Sequence, residues 1–579
     1  MEDPRVERPG ARTRRLGLRR PGHGLEPREE REAARGSGGC RSPASRGHSR
    51  PRRSSSAEPA FSPDGKRLAF TRKRDAKGKP QLHVLPLDGG EARPLTELPL
   101  GAFDPRWLPD GSGIVFAAML IKDTSRPRRP AKEIERREKD PVKAHITEDR
   151  VYRFWDTWLT TGEVPHLFLY DVATEKIRDL TPDSTVWFEW MEPSGHYDVS
   201  PDGREIAFAG VSLDEARSLL HSKIYTVPVA GGAITCLTRE HPADDVRPRY
   251  TPDGAAIVYG MQVDPHFYAD RVRVMRYDRA TQAHTDICPD WTLSPSHWTF
   301  GEDGTLYLEA EEEARVQIYA WKGERAPEAI LRGGTSAGVG TRAGKLFWIQ
   351  QDLSTPPEIY TAARDGSGPT KVTRFTDPVT SQFGLGEVLE MQFEGAYGEP
   401  VQMFVVLPPD YQEGKQYPLV QVIHGGPHAI SADGFHFRWN AHLFSAPGYI
   451  SALVNFQGST SWGQDFAERI TGGWGDRPYL DVMKSTDALI ATGMVDATRM
   501  AAAGGSYGGY MAAWIAGTHR SLRLHRQSRR RVRHAVAVRE RRHAGPPQVL
   551  RRRGRGTDRC DRSLEPRAFR QGHRRRRCS

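Results

Sequence analysis

Cysteine is scarce in this chain, with 5 residues among 579, so a disulfide framework is excluded and a reducing compartment, the cytoplasm, is expected. No apolar run approaches the roughly 18–20 residues of a membrane-spanning helix. Residues 1–30 also lack the apolar core of a secretory signal peptide. His and Cys residues at metal-ligand spacing, P-loops and dinucleotide-binding motifs are missing too, so we expect no metal and no cofactor.

Lysine is absent from both ends of the chain. Residues 1–53 contain 15 Arg and 7 acidic residues, and residues 521–579 contain 21 Arg and 4 acidic residues. The net charge of +11 comes wholly from these ends, because residues 54–520 contain 48 basic and 62 acidic residues. Large apolar residues are also rare there, so we expect 1–55 and 521–579 to be disordered.

The Arg-rich ends have two interpretations. They are either basic arms that bind nucleic acid or segments translated out of frame from a GC-rich gene. Phe569 is the single aromatic residue among these arginines, whereas proteins that bind nucleic acid by stacking need several. We therefore favour the out-of-frame interpretation and expect no nucleic-acid binding.

A Pro-Asp-Gly turn recurs along the middle of the chain. Its copies end at Gly65, Gly111, Gly203 and Gly254, with a degenerate copy ending at Gly304, so the intervals are 46, 92, 51 and 50 residues. A short β-rich run follows each turn, as expected where Pro and Gly close a hairpin. Units of about 40–50 residues with about four strands are typical of propeller blades. We predict a β-propeller over residues 56–380 with six to seven blades, counting the 92-residue interval as two repeats.

Four tryptophans in that long interval either line a ligand pocket or pack within the blades, and packing is the favoured interpretation. They are Trp155, Trp158, Trp187 and Trp190.

The pattern changes at about residue 381, where strands begin to alternate with helices. A buried strand over 418–423 runs directly into His424-Gly425-Gly426-Pro427, and a second strand follows over 449–456. Helical spacing of apolar residues predicts a helix over 479–490. The sequence therefore predicts an α/β domain over residues 381–520.

The segment Gly504-x-Ser506-x-Gly508 fits a nucleophile elbow between a strand and a helix. Such a serine sits on a strained turn, so side chains two residues before and after it would clash. Catalysis also needs backbone N–H groups for the oxyanion. We expect the first from Tyr507 and the second from Gly425 or Gly426, because that Gly-Gly pair also ends a strand in a turn without side chains.

Together these motifs resemble the prolyl oligopeptidase family of serine peptidases, and its acylaminoacyl-peptidase and dipeptidyl-peptidase branch in particular. The resemblance covers about residues 57–520 and includes TolB-like repeats and three further segments: 455–460, 473–476 and 481–484. It implies a cytosolic hydrolase of short peptides with a propeller over an α/β-hydrolase domain. The family's nucleophile corresponds to Ser506, and its oxyanion donors correspond to the Gly426 and Tyr507 amides.

The Asp and His of a serine triad are not identifiable. In this fold they follow the serine, and completing the sheet would need about three more strand–helix units. We therefore expect the hydrolase domain to be C-terminally incomplete. Asp558 or Asp561 followed by His573 has the right order but lies in the Arg-rich tail. Four other histidines lack an acidic partner in a plausible position: His519, His525, His534 and His543.

The sequence thus predicts a serine peptidase that acts on short peptides through an acyl-enzyme on Ser506, with turnover impaired by the missing base. Two alternatives stay open: a non-catalytic propeller that binds peptides, and an esterase of the same fold. Homo-oligomer formation and the cleavage preference also stay open.

Overall fold

The computed structural model describes residues 55–518 except for short gaps: 76–77, 122–129, 143, 145, 148–150, 155–156, 189–194, 215–218 and 324. Ser55 is already the first residue of a strand. Apart from that residue, the predictions for 1–55 and 521–579 lie outside the described residues.

Four antiparallel sheets follow one another along the first half of the described chain. The first sheet contains β1 (Ser55–Phe61), β2 (Arg67–Lys73), β3 (Gln81–Pro86) and β4 (Arg93–Pro94). The second contains β5 (Ala102–Trp107), β6 (Gly113–Ile121), β9 (Glu163–Asp171) and β10 (Ile177–Asp179). The third contains β11 (Trp187–Phe188), β12 (Tyr197–Val199), β13 (Glu205–Leu213), β14 (Leu220–Pro228) and β15 (Thr235–Cys236). The fourth contains β16 (Asp245–Tyr250), β17 (Ala256–Met261), β18 (Arg273–Asp278) and β19 (His284–Asp286).

A fifth sheet of eight strands consists of two four-stranded halves joined by one parallel pair, Val316 with Thr335. Its first half contains β20 (Pro295–Phe300), β21 (Leu306–Glu312), β22 (Arg315–Trp321) and β23 (Glu328–Leu331). Its second half contains β24 (Thr335–Arg342), β25 (Lys345–Gln351), β26 (Glu358–Ala363) and β27 (Thr370–Lys371). Four-stranded antiparallel units in succession are the building blocks of a propeller.

The Pro-Asp-Gly turns join neighbouring antiparallel strands of these units, for example β1 with β2 and β12 with β13. Gly65 has φ of 69° and Gly203 has φ of 70°, and the N–H of each donates to the carbonyl oxygen three residues earlier at 2.8 Å. This left-handed conformation explains the recurrence of Gly at the last turn position.

The 92-residue interval is a correction to the sequence prediction. It was counted as two repeats, but residues 102–179 form one four-stranded sheet. The extra length, residues 122–162, lies between the paired strands β6 and β9. This insertion contains α1 (Pro130–Lys139), a small hairpin of β7 (Arg153–Phe154) and β8 (Thr157–Trp158), and a 3-10 turn at Leu159–Thr161.

The tryptophan group is described only in part, because Trp155 and Trp190 lie outside the described residues. Trp158 stacks on Tyr152 at a ring-centroid distance of 5.4 Å. Trp187 lies in β11, and its indole N–H donates to the carbonyl oxygen of Glu163 at 3.2 Å. Both contacts are with protein atoms of the same region.

A mixed sheet carries the segment with the elbow motif. Its strands lie in the order β28 (Val388–Glu394), β29 (Pro400–Val406), β31 (Ile450–Asn455), β30 (Tyr417–Ile423) and β32 (Val495–Gly504). The last three strands are parallel to one another, whereas β28 and β29 are antiparallel additions. The helices are α2 (Asp377–Thr380), α3 (Ala441–Ser445), α4 (Gln464–Glu468), α5 (Arg477–Ala491) and α6 (Tyr507–Thr518).

Helices cover both faces of this sheet. Val482 and Leu489 of α5, with Met511 of α6, pack with the strands in one buried apolar cluster. On the other face, Ala441 of α3 packs with Phe404 in a second cluster. Burial on both faces explains the nearly continuous apolar sequence of β30 and β31. No helix among the residues described is long and apolar enough to cross a membrane.

Candidate active site

A strained backbone turn lies between β32 and α6. Ser506 has φ of 54°, which is a left-handed conformation that side-chain-bearing residues rarely adopt. A Cβ atom on Gly504 would lie 2.5 Å from the carbonyl carbon of Gly508 and 2.7 Å from the carbonyl oxygen of Ile423. Gly504 is therefore required by close backbone contacts, as expected for an elbow that projects its serine from the sheet. The side chain of Ser506 is exposed.

The His424–Pro427 loop lies beside this bend. Strands β30 and β32 are parallel neighbours, and Ile423 at the end of β30 pairs with Gly504 at the end of β32. A Cβ atom on Gly425 would lie 3.2 Å from the carbonyl oxygen of Gly505 and 3.4 Å from Cβ of Ser506. The two segments that the sequence pattern singled out, about 80 residues apart, therefore meet at one edge of the sheet.

Gly426, the predicted second oxyanion donor, has φ of 127°. A Cβ atom there would lie 2.6 Å from the backbone nitrogen of His428. A residue with a side chain is therefore disfavoured at position 426, and the loop backbone beside the serine carries no side chain there.

The two histidines of the loop region are held by the segment that follows β31. His424 stacks on Phe456 with ring centroids 4.2 Å apart, and its Nε2 lies 3.0 Å from the hydroxyl of Ser459. Nδ1 of His428 lies 2.9 Å from the carbonyl oxygen of Gly458. Burial lowers the pKa of His424 to about 4, so its imidazole is neutral near pH 7. These contacts fix both ends of the Gly425–Gly426 segment.

Tyr507, the predicted first oxyanion donor, is the first residue of α6. Its ring is buried, and its hydroxyl donates to the carbonyl oxygen of Trp474 at 2.7 Å. Gly475 lies under the helix, because a Cβ atom there would lie 2.9 Å from Trp514. The 473–476 motif therefore packs against α6 and holds its first residue in place. The N-terminus of this helix favours negative charge near Ser506.

Asp481 is a fully buried carboxylate on α5. It accepts hydrogen bonds from the backbone N–H of Ala396 at 2.6 Å and from that of Gln457 at 2.7 Å. Burial raises its pKa. Through Gln457, it anchors the segment whose Ser459 contacts His424.

Ser506 opens into a cavity of about 650 Å³. The cavity is lined by the mixed sheet, by the segment 429–441 and by residues of the fifth sheet, including Thr335 and Gln351. Trp439 forms a wall next to the serine, since a Cβ atom on Gly505 would lie 3.0 Å from its indole ring. A volume of this size accommodates a ligand of a few residues.

Residues 435–522, which include this wall and the elbow, match the model of the prolyl oligopeptidase family.

Over this segment the chain is similar to that family.

Two of the curated proteins that are similar to this chain are dipeptidyl-peptidases. A dipeptidyl-peptidase 5 from Porphyromonas gingivalis is 27% identical over 515 residues, which cover 80% of this chain and 75% of the relative. A dipeptidyl-peptidase 5 from Porphyromonas endodontalis is 25% identical over 473 residues, covering 80% of this chain and 67% of the relative. The acylaminoacyl peptidase of Pyrococcus horikoshii has a similar fold, with a TM-score of 0.64 at 19% identity over 80% of this chain and 68% of that structure.

The Asp and His that were expected to follow the serine are not among the residues described. All candidates named from the sequence lie beyond residue 518: His519, His525, His534, His543, Asp558, Asp561 and His573. Within the described range 55–518, the hydroxyl of Ser506 has no hydrogen-bond partner and no cluster of His, Cys, Asp and Glu has metal-binding geometry.

Sequence reasoning missed the cavity wall formed by residues 435–439. The only local signal is a run of aromatic and basic residues, Phe-His-Phe-Arg-Trp, just before the helix cap Asn440. Its contact with Gly505 depends on tertiary packing.

Proposed function

We propose that this chain is a serine-type peptidase for short peptides, of the dipeptidyl- or acylaminoacyl-peptidase kind, and that it acts in the cytoplasm. The observation that carries the proposal is the position of Ser506, on a strained bend beside a bare Gly-Gly backbone and facing a cavity. The dipeptidyl-peptidase 5 relatives support a peptide as substrate.

The chemistry follows from the position of each group. The hydroxyl oxygen of Ser506 attacks the carbonyl carbon of the scissile bond, and the carbonyl oxygen becomes an oxyanion. The N–H groups of Tyr507 and Gly426 donate to that oxyanion, and the N-terminus of α6 adds favourable electrostatics. When the tetrahedral intermediate collapses, the C–N bond breaks and its electron pair goes to the nitrogen, which takes up the proton lost by the Ser506 hydroxyl and leaves as the amine. An acyl-enzyme remains on Ser506, and water then hydrolyses this ester to the free acid and restores the hydroxyl.

We further propose that turnover by this chain is impaired because it lacks a general base that takes the proton of Ser506. His424 cannot serve as that base near pH 7, because both of its ring nitrogens lie against other protein groups and its pKa is lowered to about 4. Apart from His519, the candidates named from the sequence lie in the Arg-rich segment 521–579, whose composition disfavours folding.

The test uses an activated substrate, a p-nitrophenyl ester of a blocked amino acid, whose leaving group needs no general acid. We expect slow, stoichiometric acylation in the wild-type chain and none in Ser506→Ala. Without a histidine base, the acylation rate should rise tenfold per pH unit from pH 6 to 10, because only the small alkoxide fraction reacts.

Two other outcomes would change the proposal. A plateau above about pH 7, together with rapid turnover of an aminoacyl p-nitroanilide, would show that a base is present and would overturn the impairment. Equal acylation of wild type and Ser506→Ala would overturn the assignment of the nucleophile. Peptide binding that persists in Ser506→Ala without any turnover in wild type would favour a peptide-binding protein.

A further inference from the structure

We infer that Arg438 binds a carboxylate of the peptide in the Ser506 cavity, so that the site selects anionic peptides. The inference rests on the proposed function, because it concerns the substrate of the same site.

Arg438 lies in the cavity wall, next to a residue that packs against the turn of the nucleophile. Its neighbour Trp439 contacts Gly505, the residue before Ser506. Trp439 also stacks on Phe444 with an angle of 7° between the rings. Asn440 then caps α3 by accepting the backbone N–H of His442 at 2.9 Å. The backbone that carries Arg438 is therefore anchored on its C-terminal side.

The N-terminal side of Arg438 is fixed as well. Nδ1 of His436 accepts the backbone N–H of Arg438 at 3.1 Å and that of Trp439 at 2.9 Å. Because Nδ1 accepts these bonds, the proton of a neutral His436 lies on Nε2, which makes that atom a hydrogen-bond donor rather than a base. Two donors, the guanidinium and this Nε2–H, thus belong to one stretch of the wall.

The charge of the cavity is one-sided. Among the described residues that line the cavity, Arg438 is the one formally charged residue. Neither Asp nor Glu belongs to that lining. Its side chain is exposed, and no carboxylate of the described residues pairs with it. Other arginines differ: Arg315 pairs with Glu390 at 2.7 Å, and Arg364 pairs with Glu302 at 2.7 Å.

A guanidinium in such a cavity favours a planar anion. Its parallel N–H groups match the two oxygens of a carboxylate, and the concave wall strengthens the attraction relative to open solvent. In a peptide, that group is either the C-terminal carboxylate or an acid on the N-terminal side of the scissile bond.

The experiment measures equilibrium binding to the full chain carrying Ser506→Ala, so that turnover plays no part. The reference probe is acetyl-Ala-Ala-Phe-Ala-amide. One anionic probe replaces acetyl by succinyl, and the other replaces the C-terminal amide by a free carboxylate. Quenching of tryptophan fluorescence or calorimetry gives the dissociation constants. Arg438→Gln is compared with a control variant, Arg374→Gln, which makes the same change of charge at an exposed position of the propeller region.

We expect one of the two anionic probes to bind about tenfold more tightly than the reference, as for a charge-assisted hydrogen bond at a partly exposed site. This gain should disappear in Arg438→Gln, persist in Arg374→Gln and be partly kept in Arg438→Lys. The probe that shows the gain identifies the side of the scissile bond that Arg438 contacts.

Equal binding of all three probes, or a gain that survives Arg438→Gln, would overturn the role of Arg438 while leaving the peptide site intact. Absence of binding by every probe would contradict both this role and the proposed peptide substrate.

Discussion

A Cβ atom on Gly508 would lie 2.1 Å from the carbonyl oxygen of Ile423. Gly508 is the second residue of α6, and Ile423 is the last residue of the neighbouring strand β30. The elbow helix therefore packs directly on the backbone that leads into the oxyanion loop.

Gly508→Ala should consequently be one of the most damaging small substitutions in the chain. The new methyl group meets backbone atoms that cannot rotate away, so we expect the free energy of unfolding to fall by about 2 kcal/mol or more. Urea unfolding measures this change. Gly517→Ala is the matched control on the same helix, because a Cβ atom there meets nothing within 4 Å.

The free energy of unfolding should rise by about 0.5–1 kcal/mol in the control Gly517→Ala, because Ala stabilises a helix relative to Gly. If both substitutions changed stability equally, the close approach of α6 to β30 would be wrong.

Asp481→Asn tests the buried anchor on α5. The carboxylate accepts two backbone N–H groups, and an amide leaves one of them facing an NH₂ group. We expect a loss of about 1–3 kcal/mol in the free energy of unfolding, because a buried donor is left unpaired. Asp487→Asn, at an exposed position of the same helix, should stay within about 0.5 kcal/mol of wild type.

The anchor should also affect the site, because Gln457 and Ser459 belong to one segment. Slower acylation of Ser506 in Asp481→Asn than in Asp487→Asn would support this link. Indistinguishable stability of the two variants would contradict the anchoring role.

Glu309 should make stability depend on pH. Burial raises its pKa from the ordinary 4.5 to about 7, although the carboxylate accepts the backbone N–H of Val339 at 2.5 Å. The folded chain therefore binds this proton more tightly than the unfolded chain. The contribution of Glu309 to stability is complete below pH 4.5 and is lost as the pH rises through 7, by about 3 kcal/mol in all.

Glu309→Gln should remove this part of the pH dependence when urea unfolding is compared at pH 4.5 and pH 8. Glu328→Gln, an exposed substitution in the same sheet, should preserve it. A pH dependence that is the same in both variants would assign it to other groups.

Local chemistry made much of this fold predictable. The Pro-Asp-Gly turns, the strand–loop succession at 418–427 and the Gly504–Gly508 elbow are short patterns whose backbone requirements can be read from adjacent residues. The meeting of the two loops could also be predicted, because parallel strands bring their carboxyl ends to one edge.

Other features depend on chain segments that are distant in sequence. Two repeats of 46 residues and one repeat with an insertion give the same interval of 92, so spacing alone could not distinguish them. The contact between Trp439 and Gly505 follows from the packing of the 429–441 segment, for which no periodic pattern exists. The partners of Asp481 lie on two other segments, so its motif carried no indication of its role.

The insertion between β6 and β9 shows where this scaffold accepts additional material. Nine residues of β6, from Gly113 to Ile121, remain paired with β9 in unbroken register although residues 122–162 intervene. The hairpin end of that sheet is thus a natural graft point, where a reporter domain or an affinity module could be spliced in without rearranging the strands on either side.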